Sequence, residues 1–243
     1  MSVFRYVNTD SPLHWGQKYE PLSVMIYEEM YKTKVGEFGC IRHPKYHFIG
    51  ASPDGINIEP SNNRYGRMLE IKNIVNREIT GIPKKEYWIQ MQLQMETCDL
   101  NECDFLETRF IEYENENLFL KDSDTSLFTS IQGERKGIIL YFSNQVTGTP
   151  LYIYTPLHIL SYEEYEKWSE ELIENMLTQQ PDLMWVRTIY WKLDEWSCVL
   201  VQRNKKWFTD VVPMISNFWD IIEKERITGY EHRAPIRRRT III

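Results

Sequence analysis

Apolar residues recur at near-helical spacing near the start of the chain, at Leu22, Met25, Ile26 and Met30. Ser11-Pro12 is a helix-start signal, so the pattern predicts a helix over 12–33, which Pro21 kinks or splits in two. Runs at 34–41 and 47–51 predict strands. Pro53-Asp54-Gly55 then turns the chain into a short strand at 56–58. Residues 59–65 form a polar loop, and 67–72 is the next strand. After a connector at 74–83, residues 84–98 predict a helix carrying Trp88, Met91, Leu93 and Met95. A strand follows at 105–113. Strands at 137–142 and 151–155 flank the turn Thr147-Gly148-Thr149-Pro150, and an acid-rich helix spans 162–177. Residues 183–193 and 198–202 predict a hairpin around Asp194-Glu195. The last helix is 207–226, with Pro213 a kink or a late start, and an irregular basic tail begins at about 228. The expectation is one α/β domain over residues 1–243, a central mixed β-sheet flanked by helices, with an elaboration at about 114–196.

Composition narrows the function classes. The chain has 243 residues, 42% hydrophobic and 14% aromatic, enough for a packed core. No apolar run approaches a membrane span, and the N-terminus has no signal-peptide core, which predicts a soluble intracellular protein. Cys40, Cys98, Cys103 and Cys198 form no C-x-x-C pair, so zinc and iron–sulfur sites are not indicated and free, mainly core thiols are expected. The net charge of −7 argues against a generally sticky nucleic-acid binder. It leaves room for local basic patches at Arg64 with Arg67, Lys84 with Lys85, Arg203 with Lys205 and Lys206, and Arg233 with Arg237, Arg238 and Arg239.

The candidate chemistry lies in Ser52-Pro53-Asp54-Gly55 and Glu70-Ile71-Lys72, with fifteen residues between Asp54 and Glu70. On a strand, residues i and i+2 share a face, so Glu70 and Lys72 point one way and Ile71 points into the core. Asp54 arrives from a separate turn. Two carboxylates supply hard oxygen ligands for Mg²⁺, and a lysine beside them orients or helps deprotonate a water. Taken alone, Glu-x-Lys and Asp-Gly are common on solvated strands and in turns.

The neighbouring blocks make the pattern specific. His14-Trp15-Gly16-Gln17-Lys18-Tyr19-Glu20, Ser52-Pro53-Asp54-Gly55, Leu69-Glu70-Ile71-Lys72 and Tyr87-Trp88-Ile89-Gln90-Met91-Gln92 occur in that order. Together they resemble the family of phage lambda exonuclease and the YqaJ-type viral recombinase nucleases, within the PD-(D/E)XK superfamily. The resemblance is firm over about 12–113 and returns more weakly at 197–224. It implies a restriction-endonuclease-like core and an enzyme degrading double-stranded DNA, commonly 5′-to-3′ from an end, in recombination and repair. It further implies catalytic Mg²⁺, with Mn²⁺ as a substitute, bound by Asp54, Glu70, the Ile71 carbonyl and Glu20. Lys72 would activate the water, and Gln90 would touch the water or the scissile phosphate. A single-strand annealing protein and a ring-shaped homotrimer are the partners the family implies, in host cytoplasm or nucleus if the source is viral. The alternatives are an endonuclease or branched-DNA nuclease with the same site, and a non-catalytic DNA-binding scaffold.

Other residues are weighed against blander roles. Gln92 turns away from Gln90 on a helix, and Gln94 lies a full turn further on, outside the expected site. Tyr87 lines a DNA channel or the core. His43 and His47 are expected in a hairpin loop rather than at a metal. Trp185, Trp191 and Trp196 are expected in a core or interface rather than as base-stacking platforms. The first 14 residues contain a single Arg or Lys, Arg5, whereas the family carries basic and hydroxyl residues there. The expectation is that DNA-end recognition comes from other segments or that the chain is a shortened form.

Overall fold

The computed structural model describes residues 7–123 and 126–234. The chain begins with α1 (Pro12–Tyr31), β1 (Val35–Gly36), β2 (Ile41–Arg42), β3 (Gly50–Ala51), β4 (Gly55–Asn57), β5 (Met68–Asn73), α2 (Lys85–Cys98) and β6 (Glu102–Glu112). It continues with α3 (Glu116–Lys121), β7 (Lys136–Asn144), β8 (Pro150–Tyr154), α4 (Tyr162–Gln179), β9 (Leu183–Gln202) and α5 (Lys205–Thr228). Seven strands form one mixed sheet in the order β1-β4-β5-β6-β9-β7-β8, and β2 pairs with β3 separately. Only β5 and β6 run parallel among the described pairs. A parallel pair needs a crossover, and α2 supplies it.

The two faces of β5 recruit different helices. Leu69 and Ile71 pack with Leu106 against Tyr27 and Val24 of α1. Met68 packs with Cys103 and Phe105 against Met91 and Met95 of α2. Period-2 alternation therefore puts α1 and α2 on opposite faces and aims Glu70 and Lys72 toward α2. Ser11 caps α1, its hydroxyl accepting from the His14 N–H at 3.1 Å, and Pro12 occupies the first turn, where its missing N–H costs nothing. The helix runs through Pro21 as one element, and α5 likewise runs through Pro213 and starts earlier than expected. The α/β class and the mixed, helix-flanked sheet are as read from the pattern.

Three local expectations are corrected. The predicted strand 34–41 is two short pieces, because Gly39 adopts a left-handed φ of +63° between them. The predicted hairpin at Asp194-Glu195 is one continuous strand, β9, which passes from one neighbour to another. Its first half pairs with β7 and its second with β6. Asp194 is the extra residue of a bulge opposite Arg109/Phe110. The acids that look like a turn signal are instead matched by Arg109, 2.6 Å from Glu195 and 3.6 Å from Asp194. The short helix α3 had no counterpart in the pattern.

Residues of the expected elaboration extend the same sheet through β7 and β8. Their outer face is covered by α4, with Leu172, Ile173 and Met176 packed near Leu140, Phe142 and Leu183. A capping box starts α4: Ser161 accepts from the Glu164 N–H at 3.2 Å, and Glu164 accepts from the Ser161 N–H at 3.1 Å. Buried Lys136 ties down the end of α3, donating to the Phe119 and Asp122 carbonyls at 2.6 Å each and to Ser123 at 2.7 Å. Trp191 is in the core, whereas Trp185 and Trp196 are exposed. Cys103 is buried, Cys98 and Cys198 are half-buried and Cys40 is exposed, all as free thiols. Among the described residues, no helix is long and apolar enough to cross a membrane.

The arginines of two basic patches are structural, whereas Lys205 and Lys206 are exposed. Arg64 and Arg67 both reach Asp104, a residue 1% exposed on β6, which also accepts from Tyr27 at 2.6 Å. Arg203 is held by Glu96 at 2.7 Å and Asp99 at 2.8 Å. Lys84 and Lys85 remain exposed at the start of α2. Arg5 and Arg237 to Arg239 lie outside the described residues. Replacing Asp104 strands the Arg64 guanidinium and the Tyr27 phenol without that acceptor, while Arg67 keeps Glu102 at 2.9 Å. Asp104→Ala should therefore lower unfolding free energy by about 3 kcal/mol in a urea titration with an unchanged slope. A loss below about 1 kcal/mol would show that water replaces the carboxylate.

Candidate active site

The site forms where β4 stops short beside β5. Their pairing ends at Gly55↔Leu69, so the next N–H on that edge of β5, from Ile71, has no strand partner. Asp54 takes it, its Oδ2 accepting from the Ile71 N–H at 2.6 Å. Gly55 lets β4 begin there, since a Cβ at that position would sit 2.1 Å from Val35 Cγ1. In a strand, the N–H and C=O of one residue point to the same side, so the Ile71 carbonyl shares the edge that Asp54 occupies.

Glu70 is 0% exposed, yet its carboxylate is fully partnered. Lys72 and Gln90 donate to Oε1, the latter at 2.8 Å, and Gln94 donates to Oε2 at 2.9 Å. Gln90 and Gln94 are one turn apart on α2, so both amides face β5. Gln94 is therefore a correction: the extra turn that seemed to exclude it brings it to the second oxygen of the same carboxylate. Its own Oε1 is buried without a partner among the described residues. Gln92 does turn away, donating to the Gln202 carbonyl at 3.0 Å and accepting from the Asn204 N–H at 2.6 Å, which ties α2 to the start of α5. Tyr87 packs on Phe105 while Lys72 Nζ lies 5.2 Å from its ring, so it belongs to the core and borders the site. His43 is spent in its loop, Nδ1 accepting from the Lys45 and Tyr46 N–H groups at 3.0 and 3.1 Å.

Glu20 does not touch Glu70 or Lys72. It lines a cleft of about 220 Å³ with Asp54 and Glu37. Glu37, between Gly36 and Phe38, is an acid that the sequence reading missed, with no spacing to single it out. Burial and then repulsion by Glu70 raise the Glu20 pKa, with Lys72 opposing. Asp54 is pushed up to about 7, first by burial and then by Glu70, against the Ile71 N–H and Lys72. Four acids around one lysine leave an excess of negative charge in a desolvated cleft, which suits a cation. Among the described residues, no three His, Cys, Asp or Glu side chains already converge as a metal cage. The donors present are hard carboxylate and carbonyl oxygens, the set that Mg²⁺ takes.

Comparison with known proteins bears on this region. Residues 5–101 match the YqaJ-like viral recombinase domain. The matched stretch contains Glu20, Asp54, Glu70, Lys72, Gln90 and Gln94. An uncharacterised protein of Acanthamoeba polyphaga mimivirus is 32% identical over 236 residues, covering 86% of this chain and 43% of that protein. The chain thus spans less than half the length of this viral relative. Among solved structures, an alkaline exonuclease from Laribacter hongkongensis aligns at 20% identity and TM-score 0.36, covering 73% of this chain and 71% of that one. The same exonuclease in complex with dAMP aligns at 21% identity and TM-score 0.35, over the same shares.

The raised Asp54 pKa has a stability consequence. Between its unfolded value near 3.8 and about 7, the folded state keeps a proton that the unfolded state has released. Stability supplied by neutral Asp54 is therefore lost as pH rises through that window. Asp54→Asn keeps an acceptor for the Ile71 N–H and removes the charge. In EDTA it should be no more stable than wild type below pH 4, and more stable by roughly 1–2 kcal/mol at pH 8. Thermal melts across that range check this, and a pH-independent difference would contradict it.

Proposed function

We propose that the chain hydrolyses phosphodiester bonds of double-stranded DNA as a divalent-metal-dependent nuclease, acting from 5′ ends. The observation that carries this reading is the convergence of Asp54, Glu70 and Lys72 at the β4–β5 edge, with Gln90 and Gln94 behind Glu70. The match of residues 5–101 to the YqaJ-like viral recombinase domain supports DNA as substrate.

Asp54, Glu70 and the Ile71 carbonyl would hold Mg²⁺, with Glu20 facing a second position across the cleft. Bound there, the metal would lower the pKa of water and offset charge on the phosphate. Lys72 is the only cation bonded to the buried Glu70 among the described residues. With a metal held by Glu70, the Lys72 ammonium would be available to orient the attacking water or the phosphate. Gln90 and Gln94 each donate to one Glu70 oxygen and so fix the orientation of the carboxylate.

Linear duplexes with 5′-phosphate or 5′-hydroxyl ends, and covalently closed circles, should be incubated in Mg²⁺ and in EDTA. Nucleotides should be released from linear duplex in Mg²⁺ alone, with circles left intact; nicked circles would instead assign an endonuclease. Lys72→Ala should slow release by about 10²–10⁴-fold with metal affinity within a few fold of wild type. Unchanged activity in that variant would remove Lys72 from the chemistry.

A further inference from the structure

A second cavity, of about 220 Å³, lies mostly in the segment beyond the matched domain. Glu29 of α1 lines it together with Phe128, Arg135, Thr155, Ile159 and Trp191. Glu29 follows Glu20 by nine residues, which is about 14 Å along α1 and roughly half a turn around it. The cavity is therefore separated from the Asp54–Glu70 cleft by the body of the helix.

Three polar side chains lining this cavity have a buried atom without a hydrogen-bond partner among the described residues, and one of them, Glu29 Oε2, is engaged by the Arg135 ion pair. Trp191 is 1% exposed and its indole N–H is unpaired; Thr155 is 5% exposed and its hydroxyl is unpaired. Trp191 is fixed by an edge-on contact with Phe110, ring centroids 5.4 Å apart, and Thr155 by its N–H to the Ile138 carbonyl at 3.1 Å. A rigid buried donor without an acceptor is costly in a folded protein, and a polar occupant would relieve that cost. The charged groups at the rim already balance: Arg135 lies 2.6 Å from Glu29. A phosphate or carboxylate would have to displace that acid. A neutral ligand leaves the pair intact and finds both a donor and an acceptor there. Phe128 and Ile159 offer apolar surface for a flat body. The volume is below the ~300–1,000 Å³ of drug-sized ligand sites, which fits a single ring system.

We propose that this cavity binds one nucleobase, its ring acceptors meeting the Trp191 N–H and the Thr155 hydroxyl. The choice of a nucleobase among flat neutral ligands rests on the proposed nuclease reading; the preference for an acceptor-bearing occupant does not. The base has two sources, a free deoxynucleoside or an unpaired base of a DNA strand.

The indole N–H signals of the full chain, in metal-free buffer, should be followed by NMR during titration with each of the four deoxynucleosides and, separately, with a short single-stranded oligonucleotide. Trp191→Phe assigns its signal among the eight tryptophans. The Trp191 signal should move with at least one deoxynucleoside or with the oligonucleotide, and the arm that succeeds identifies the source. Thr155→Val, of nearly equal volume, should weaken that binding roughly tenfold while linear-duplex cleavage stays at the wild-type rate. A Trp191 signal that moves in neither arm, or binding indifferent to Thr155→Val, would overturn the proposal and leave water as the occupant. Because the titration needs neither metal nor cleavage, absent nuclease activity with intact binding would defeat only the nuclease reading.

Discussion

Glu70 is the residue around which the matched domain is arranged. A carboxylate without exposure to water is expensive unless its charge is spread over donors. Here the donors come from two elements: Lys72 two residues along β5, and Gln90 with Gln94 one turn apart on α2. These bonds act with the packing of Met91 and Met95 on Met68 to hold α2 against β5. The α2 crossover also lets β5 and β6 run parallel, since it leads from the end of one to the start of the other. The opposite face of β5 is apolar and packs on α1.

The domain contains two buried charge clusters with different balance. Around Asp104, two arginines and a tyrosine converge on one carboxylate. Around Asp54 and Glu70, acids outnumber the single lysine, and burial holds Asp54 near neutral-pH titration. The first cluster is satisfied internally and stabilises the sheet. The second stays short of positive charge, which is a stability cost. Arg64, Arg67 and Arg203, which the linear sequence offers as DNA contacts, are instead held in ion pairs, whereas Lys84 and Lys85 at the α2 start are exposed.

β9 joins the matched domain to the rest of the sheet. As a single strand of 20 residues it shares one half with β6 and the other with β7. The Asp194 bulge lets it change neighbours without breaking, and Arg109 neutralises the acids that the bulge exposes. The strands beyond it are thus continuous with the sheet that carries Glu70, and enclose a polar cavity of their own.

Much of the site was legible in the chain because it depends on local periodicity. The i, i+2 spacing of Glu70 and Lys72 and the turn at Asp54 needed only strand geometry, and the helix spanning Gln90 announced itself by its apolar residues. The four ordered blocks, all within the stretch that matches the YqaJ-like viral recombinase domain, did the same for that region. What the tertiary structure alone decided are relations between distant segments. Gln94 joins Gln90 because helix height over β5 is set by packing. Arg64 and Arg67 turn inward because Asp104, far along the chain, lies beneath them. Asp194-Glu195 reads as a turn in isolation, yet continues as strand because Arg109 stands opposite. Periodicity is a property of neighbouring residues, whereas charge pairing and register are settled only when strands from different parts of the chain lie side by side.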